Sequence, residues 1–427
     1  MFQTIRNAWA VPEIRKKLLF TLLIIVIYRV GSAIPVPWLD PSALQQMVDV
    51  GGNFLSYLNI LSGGNFSNAT VFALGISPYI TASIVIQLLT VAIRRLEQLA
   101  REGEDGRRKL NKITRYTTVG LAVVQSVAYY FVLRSNGALE YTSGFAGGFS
   151  AAVIILTFVA GAMLTMWLGE RIDEKGLGNG ISMILFAGIV ARGPAMVAYL
   201  VGQLMVGGLN YVFVPLIVVI FVVLIGFIVL MTNAERRIPV QYAKRVVGRK
   251  MYGGQSTHIP IKVAMSGVMP IIFANALLSI PMLIMNLAQP TQGSFWYNFL
   301  HAFDYNQPVY LVLYFILILA FNYFYVAIQY NPLEMANNLR KNNGAIPGIR
   351  PGKPTSDFIS KVISKITLIG ALFLAVIALL PALIGAVTGM NIAIGGTSII
   401  IVVGVALDTV RQLESQMMMR HYKGFLE

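Results

Sequence analysis

Ten stretches of apolar residues, each about as long as a bilayer is thick, constrain this 427-residue chain more than any other feature. A helix needs roughly 20 such residues to cross the hydrocarbon core of a membrane. The stretches lack the alternation of barrel strands, so they predict an all-α integral membrane protein with ten transmembrane helices. They are Leu18–Val36, Val71–Ile93, Tyr116–Leu133, Phe149–Gly169, Ile181–Leu200, Tyr211–Thr232, Val263–Ala288, Val309–Gln329, Ile366–Val387 and Ile392–Val410.

Basic residues are distributed unevenly among the connections between these stretches. Of the 33 Lys and Arg residues, all but Arg29, Arg134 and Arg192 fall in the termini and the even-numbered connections. By the positive-inside rule this places both termini and those connections in the cytoplasm, and the protein in the cytoplasmic membrane. The long connections 94–115, 233–262 and 330–365 carry eight, seven and six basic residues.

The ten predicted spans divide into two sets of five, residues 1–205 and 206–427. Because five is odd, the halves would cross the membrane in opposite directions, as pseudo-symmetric inverted repeats do. Glycines are frequent at the junction, at Gly202, Gly207 and Gly208.

Several classes of activity are disfavoured by what the spans contain. Ion-coupled carriers place ionisable groups near mid-membrane, yet Arg29, Arg192 and Asp408 all lie toward span ends or interruptions. The chain has no Cys and three His, all outside span centres, so no catalytic, metal or cofactor site is expected. The segment 348–354 imitates a phosphate loop, but Pro354 stands where Ser or Thr would hold magnesium. A small-solute transporter and a membrane-bound scaffold remain as alternatives to a conduit.

Two further features have both a structural and a functional interpretation. Ile76, Ile80 and Ile84 recur every four residues and line one helix face, which is typical of packing and also of a path. Pairs of basic residues are concentrated in the connections 233–262 and 330–365. Membrane orientation requires some positive charge there, and anionic lipids, acidic protein or RNA phosphate are possible binding partners for the rest. The basic residues are Arg236, Arg237, Lys244, Arg245, Arg249, Lys250, Arg340, Lys341 and Arg350.

The first external connection contains a short apolar segment, 54–61, which ends at a Gly-containing stretch. It is too short to span a membrane and too apolar for water. The pattern predicts a short helix on the membrane surface or folded back into the bundle.

Several motifs together closely resemble the SecY family of bacterial protein-conducting channels. The likeness runs from the first span through the last, and its motifs occur in this order: Phe72-Ala-Leu-Gly-Ile-Ser-Pro-Tyr-Ile80, Gln241-Tyr-Ala-Lys-Arg245, Gln255-Ser-Thr-His258, Gly344-Ala-Ile-Pro-Gly-Ile-Arg-Pro-Gly352 and Gly395-Gly-Thr-Ser-Ile-Ile-Ile401. The resemblance implies a clamshell of two five-helix halves around an hourglass pore. An apolar waist of this kind dewets and resists ions.

The resemblance assigns three groups of residues to the conduit. The pore ring would be Ile76, Ile80, Ile181, Leu185, Ile272 and Ile401, with Leu185 replacing the more usual Ile. The plug would lie at about 54–68, with the apolar residues Phe54, Leu55, Leu58, Ile60 and Leu61. The lateral gate between spans two and seven would include Thr81, Ile84, Gln87 and Asn275.

The same resemblance implies that the chain works with partners. The basic connections 233–262 and 330–365 would dock the ATPase SecA and the ribosome, with Arg350 singled out. Small membrane subunits similar to SecE and SecG, anionic lipids, and unfolded secretory and membrane polypeptides with signal sequences complete the expected set. The expected function is passage of unfolded polypeptide across the membrane and lateral release of apolar helices, with energy from the partner.

Overall fold

Each of the ten apolar stretches contains a helix in the computed structural model, which describes residues 6, 9–42, 44–45, 59, 62–135, 137–206, 210–242, 245–247, 250–252, 256–288, 291, 293–303, 307–388 and 396–423. The helices are α1 (Pro12–Gly31), α2 (Ser77–Ala92), α3 (Arg94–Arg101), α4 (Glu104–Ser135), α5 (Gly144–Lys175), α6 (Gly180–Ala191), α7 (Gly193–Val206), α8 (Asn210–Asn233), α9 (Met269–Ala288), α10 (Phe295–His301), α11 (Pro308–Gln329), α12 (Pro332–Lys341), α13 (Lys353–Thr388) and α14 (Gly396–Lys423).

Within the described part of the chain, six helical segments are individually long and apolar enough to cross a membrane. A seventh arises if α2 and α3, which meet at an angle of 101° near Ile93, are counted as one broken span. The fifth predicted span is likewise interrupted at Arg192, between α6 and α7. Breaks of this kind are tolerated in membranes where neighbouring helices re-satisfy the backbone.

Proline and asparagine begin several of these helices. Pro12, Pro308 and Pro332 stand in the first turn, where the missing N–H removes no helical hydrogen bond. The Asn331 side chain accepts hydrogen bonds from the backbone N–H groups of the first turn of α12. Asn179 does the same at α6. These local signals fix where the chain turns into a helix.

The second predicted span starts later than the sequence indicated. Residues 71–76 form turns, and α2 begins only at Ser77. The Val71 N–H donates to the Ile34 carbonyl (3.0 Å), and Pro35 and Thr70 form an antiparallel bridge. These contacts provide hydrogen-bond partners for backbone N–H and C=O groups that are buried outside regular secondary structure. The helix of the seventh predicted span, α9, also begins late, at Met269 rather than at residue 263.

A small sheet, which the sequence did not indicate, joins the two basic connections of the second half. Its order is β4–β1–β5, with antiparallel pairing of β1 (Glu235–Tyr242) to both β4 (Ser256–Lys262) and β5 (Gly344–Ala345). A separate hairpin pairs β2 (Arg245–Val247) with β3 (Lys250–Tyr252). In the described residues, therefore, a helical bundle carries a compact β element on one end.

Buried apolar residues of the helical bundle form separate clusters, among them the following three. One cluster joins α4 and α5 around Leu133 and Phe158, together with the turns near Phe66. Another joins α8, α9, α11, α13 and α14 around Ile318 and Ile377 and is termed the second-half cluster. A third lies between them and contains residues from α1, α2, α5, α6, α9 and α14. This third cluster is termed the central cluster.

Candidate functional site

All six residues predicted to form the pore ring lie in the central cluster. Ile76, Leu185 and Ile401 are buried, with 5%, 3% and 3% of their surface exposed. Ile80, Ile181 and Ile272 are partly buried and pack against the same cluster. The six residues are separated by as many as 325 positions in sequence, yet helices from both halves bring them together. Their role as a constriction stays a prediction.

Close backbone contact positions the α6 contribution to this cluster. A Cβ atom on Gly180 would lie 1.9 Å from the carbonyl oxygen of Gly169, so α5 and the start of α6 touch backbone to backbone. The Asp173 carboxylate accepts a hydrogen bond from the Gly180 N–H (2.8 Å). These contacts fix the start of α6, the helix that carries Ile181 and Leu185 in its first two turns.

The four predicted gate residues have different surroundings. Thr81 donates to the Ser77 carbonyl within α2 (3.0 Å), Ile84 is buried, and Gln87 is exposed. Asn275 on α9 donates to the Tyr314 hydroxyl of α11 (3.0 Å). Helix α2 contacts α9, as a gate requires. The Asn275 amide nevertheless holds α9 to a neighbour in its own half, so its role at a gate stays a prediction.

The predicted plug residues Phe54, Leu55, Leu58, Ile60 and Leu61 lie outside the described residues. The segment that follows them, 62–70, is described and is tightly held. The Ser67 N–H donates to the Asn59 side chain (3.0 Å), and the Tyr129 hydroxyl of α4 donates to the Phe66 carbonyl (3.0 Å). Residues 62–70 are therefore fixed to the surrounding helices.

A buried hydrogen bond ties this segment to the first helix. Asn65, with 2% of its surface exposed, donates to the Tyr28 hydroxyl (3.2 Å). The Tyr28 ring stacks on Phe72 with 5.3 Å between ring centroids. Because buried polar groups need partners, breaking this contact would leave an amide unsatisfied. Sequence reasoning missed this contact; the one available signal was the polar hydroxyl of Tyr28 within an apolar stretch.

The predicted docking surface is built on the small sheet. Strand pairing places Gln241 opposite both Ser256 and Ala345, and Tyr242 opposite Gly344. Parts of three motifs that are distant in sequence, residues 241–242, 256–258 and 344–345, therefore meet on one sheet. A Cβ atom on Gly344 would lie 2.9 Å from the Tyr242 ring, which favours glycine there.

An apolar layer beneath the sheet directs the basic residues outward. Ile238 and Val240 of β1 are buried against Leu339 of α12 and the first turns of α13. Arg236 and Arg237 precede these residues and are exposed. Strand alternation puts Arg237 on the face opposite Ile238 and Val240, whereas Arg236 shares their face and is exposed near the start of the strand.

The other basic residues of the surface have distinct placements. Arg340 and Lys341 are exposed at the C-terminal end of α12, where positive charge complements the helix dipole. Arg350 is exposed in a turn, and its carbonyl accepts a hydrogen bond from the Thr355 hydroxyl (2.8 Å). The side chains of Arg245 and Lys250, and the whole of Lys244 and Arg249, lie outside the described residues.

Charge pairing distinguishes the part of this surface formed by α12 and the turn with Arg350 from the first basic connection, whereas Arg237 of β1 pairs with Glu235 (2.7 Å). In the connection 94–115, Arg101 pairs with Glu97 (2.6 Å) and Lys109 with Glu102 (3.4 Å). Among the residues that the structure describes, no ion pair involves Arg340, Lys341 or Arg350. These three side chains offer uncompensated positive charge to an acidic partner.

Comparison with known proteins gives consistent results over nearly the whole chain. The SecY family model matches residues 70–410. Protein translocase subunit SecY of Streptomyces coelicolor is 45% identical over 440 residues, covering 100% of both chains. Its counterpart in Mycobacterium tuberculosis is 44% identical over 437 residues, covering 97% of both.

Solved structures have the same fold at lower identity. A structure described as a protein conducting channel aligns with a TM-score of 0.66 and 19% identity, covering 97% of both chains. Sec61 from the canine ribosome-channel complex of the endoplasmic reticulum aligns with a TM-score of 0.62 and 17% identity, again covering 97% of both. At these identities the alignments establish the architecture of the chain.

Proposed function

Because the chain belongs to the SecY family, we propose that it is the channel subunit of a protein translocase in the cytoplasmic membrane. It passes unfolded secretory polypeptides across that membrane and releases apolar helices of membrane proteins sideways into lipid. The single observation that carries this proposal is the convergence of the six ring residues in the central cluster.

The central cluster suits a polypeptide conduit for a physical reason. The six ring residues within it all have aliphatic side chains, so they offer no hydrogen bonds that would select one substrate residue over another. An apolar constriction also dewets, which opposes the flow of ions when no polypeptide occupies it. Ile76, which directly precedes α2, and Ile80 of α2 share this cluster with Ile272 of α9, so separation of α2 from α9 would open the constriction toward lipid.

The proposed arrangement comprises two halves, residues 1–205 and 206–427, related by an inverted repeat. The plug is the segment at about 54–68, the last part of which belongs to the fixed residues 62–70. Opening of the gate needs only that an apolar signal sequence bind the separated state of α2 and α9 better than the closed one.

Partners supply the energy and complete the complex. The sheet β4–β1–β5 and the turn with Arg350 form the docking surface for the ATPase SecA and the ribosome. The proposal that the ribosome is a partner is supported by the structure of Sec61, which comes from a ribosome-channel complex. Small subunits similar to SecE and SecG accompany the chain, and both of its termini lie in the cytoplasm with the basic connections.

The proposal is tested by crosslinking a stalled secretory polypeptide to the channel. A photoreactive residue replaces Ile80 or Ile181, and a precursor is arrested during transport in membrane vesicles. Both positions are expected to crosslink to the precursor, because they line the path. A matched control places the same photoreactive residue at Ile318, which is fully buried in the second-half cluster and away from the path.

The alternatives give different results in the same experiment. A scaffold that only anchors cytoplasmic partners predicts no crosslink at Ile80 or Ile181. A small-solute transporter predicts the same. Crosslinks of equal yield at Ile318 and at the ring positions would show non-specific insertion of the precursor and would overturn the assignment of the path.

A further inference from the structure

The helix α10 lies in the connection between α9 and α11, at the end of these helices opposite the small sheet. Its sequence, Phe-Trp-Tyr-Asn-Phe-Leu-His, contains no Lys, Arg, Asp or Glu. No charged residue of these types occurs anywhere between Lys262 and Asp304. The connection therefore carries one such charge, Asp304, which follows α10, and none in or before α10, whereas a connection facing bulk water ordinarily carries several.

The two sides of α10 differ sharply in burial. Phe295 and Trp296 are 75% and 63% exposed, and Phe299 is exposed beside them. These three side chains, termed the aromatic patch, are in mutual ring contact, with centroids 6.1 to 6.3 Å apart. On the other side Leu300 is buried, and Phe303 just beyond the helix packs against the second-half cluster. Because Leu300 and Phe303 are packed against the protein, the aromatic patch on the other side of α10 faces outward.

The surroundings of the patch indicate lipid rather than water. Ile284 of α9 and Val309 of α11, near the ends that join this connection, are also exposed. In a chain that crosses a membrane, such side chains on the spans face acyl chains. The connections from α9 and to α11 are short, so α10 stays within roughly 20 Å of both span ends at about 3.4 Å per extended residue. The headgroup layer of the bilayer lies within that distance of the span ends, and the aromatic residues Trp and Tyr are enriched in that layer.

We propose that α10 lies in the interfacial layer of the leaflet opposite the basic connections, with the aromatic patch inserted among the lipid headgroups and upper acyl chains. Short amphipathic helices bind membrane interfaces in this way through buried apolar area. The anchor fixes the end of α9, the helix that carries Ile272 and Asn275. Because α10 has no charge, binding requires no anionic lipid and is insensitive to salt.

Tryptophan fluorescence tests the position of α10 directly. The full chain, with its membrane partner subunits, is reconstituted in phosphatidylcholine vesicles whose acyl chains are brominated at either a shallow or a deep position. The contribution of Trp296 is the emission difference between the wild type and Trp296→Phe, so every other tryptophan cancels. This contribution is expected to lose most of its intensity with shallow bromine, and less with deep bromine, at low and at high salt.

The controls make every outcome informative. Trp167, exposed on α5 within a predicted span, is measured in the same way through Trp167→Phe and reports that bromine reaches a lipid-facing tryptophan. No quenching of Trp296 by either lipid would overturn the proposal: access to aqueous iodide would then indicate water, and no access would indicate cover by a subunit or a second copy. Stronger quenching by deep bromine would also overturn it. The measurement needs no transport, so its failure leaves the channel proposal untouched.

Discussion

Replacing Ile401 by Asn should favour the open state of the proposed channel. The Ile401 side chain is 97% buried in the central cluster, with 3% exposed. Loss of its apolar contacts costs about 2–3 kcal/mol. An unpaired amide in the cluster adds roughly 1–3 kcal/mol. If the side chain is hydrated in the open state, at least about 3 kcal/mol falls on the closed state alone, which raises the open-to-closed ratio roughly a hundredfold.

The assay is ion conductance across planar bilayers that contain the reconstituted channel without substrate. Ile318→Asn is the matched control, because Ile318 is fully buried in the second-half cluster and lies outside the central cluster. Both variants should unfold at lower temperature, and only Ile401→Asn should leak ions. Equal conductance for Ile401→Asn and the wild type, with both variants equally destabilised, would refute the assignment of Ile401 to the constriction.

Two further substitutions examine the fixed segment 62–70 and the docking surface. Gly63→Ala should lower the free energy of unfolding by about 2–4 kcal/mol, since Gly63 has φ +72° and an added Cβ would lie 2.6 Å from the Cα of Gly188. Thermal unfolding in detergent measures this, and Gly120→Ala, with open space around the new methyl group, should change it little; equal loss in both variants would contradict the contact. Arg350→Glu should abolish SecA-dependent transport of a precursor in vesicles while the variant still inserts normally, because an acidic partner then meets like charge. Normal transport by this variant would remove Arg350 from the docking surface.

Much of the architecture followed from the sequence because hydropathy acts locally. Each of the ten apolar stretches must satisfy its backbone within itself once in lipid, so each contains a helix whatever its neighbours do. Proline and asparagine at the first turns fixed several helix starts for the same local reason. The late start of α2 was not predictable, because residues 71–76 are as apolar as a helix and depend for their turns on contacts with Ile34 and Thr70.

The small sheet escaped sequence reasoning because its strands are short and lie far apart in the chain. Strand β5 has only two residues, and its pairing with β1 spans about 100 positions. Likewise, the hydrogen bond between Tyr28 and Asn65 depends on how α1 meets the segment 62–70, which neither stretch encodes alone.

The sequence by itself determined a helical membrane protein and predicted its basic connections on one side, since bilayer thickness and loop charge act on each segment separately. Its motifs also gave the family, and comparison confirmed that assignment. Only the tertiary structure decided that Ile76, Leu185 and Ile401 share one buried cluster, and that residues of three distant motifs, at 241–242, 256–258 and 344–345, share one sheet. Those juxtapositions arise from helix packing and strand pairing between remote segments, and no single segment contains that information.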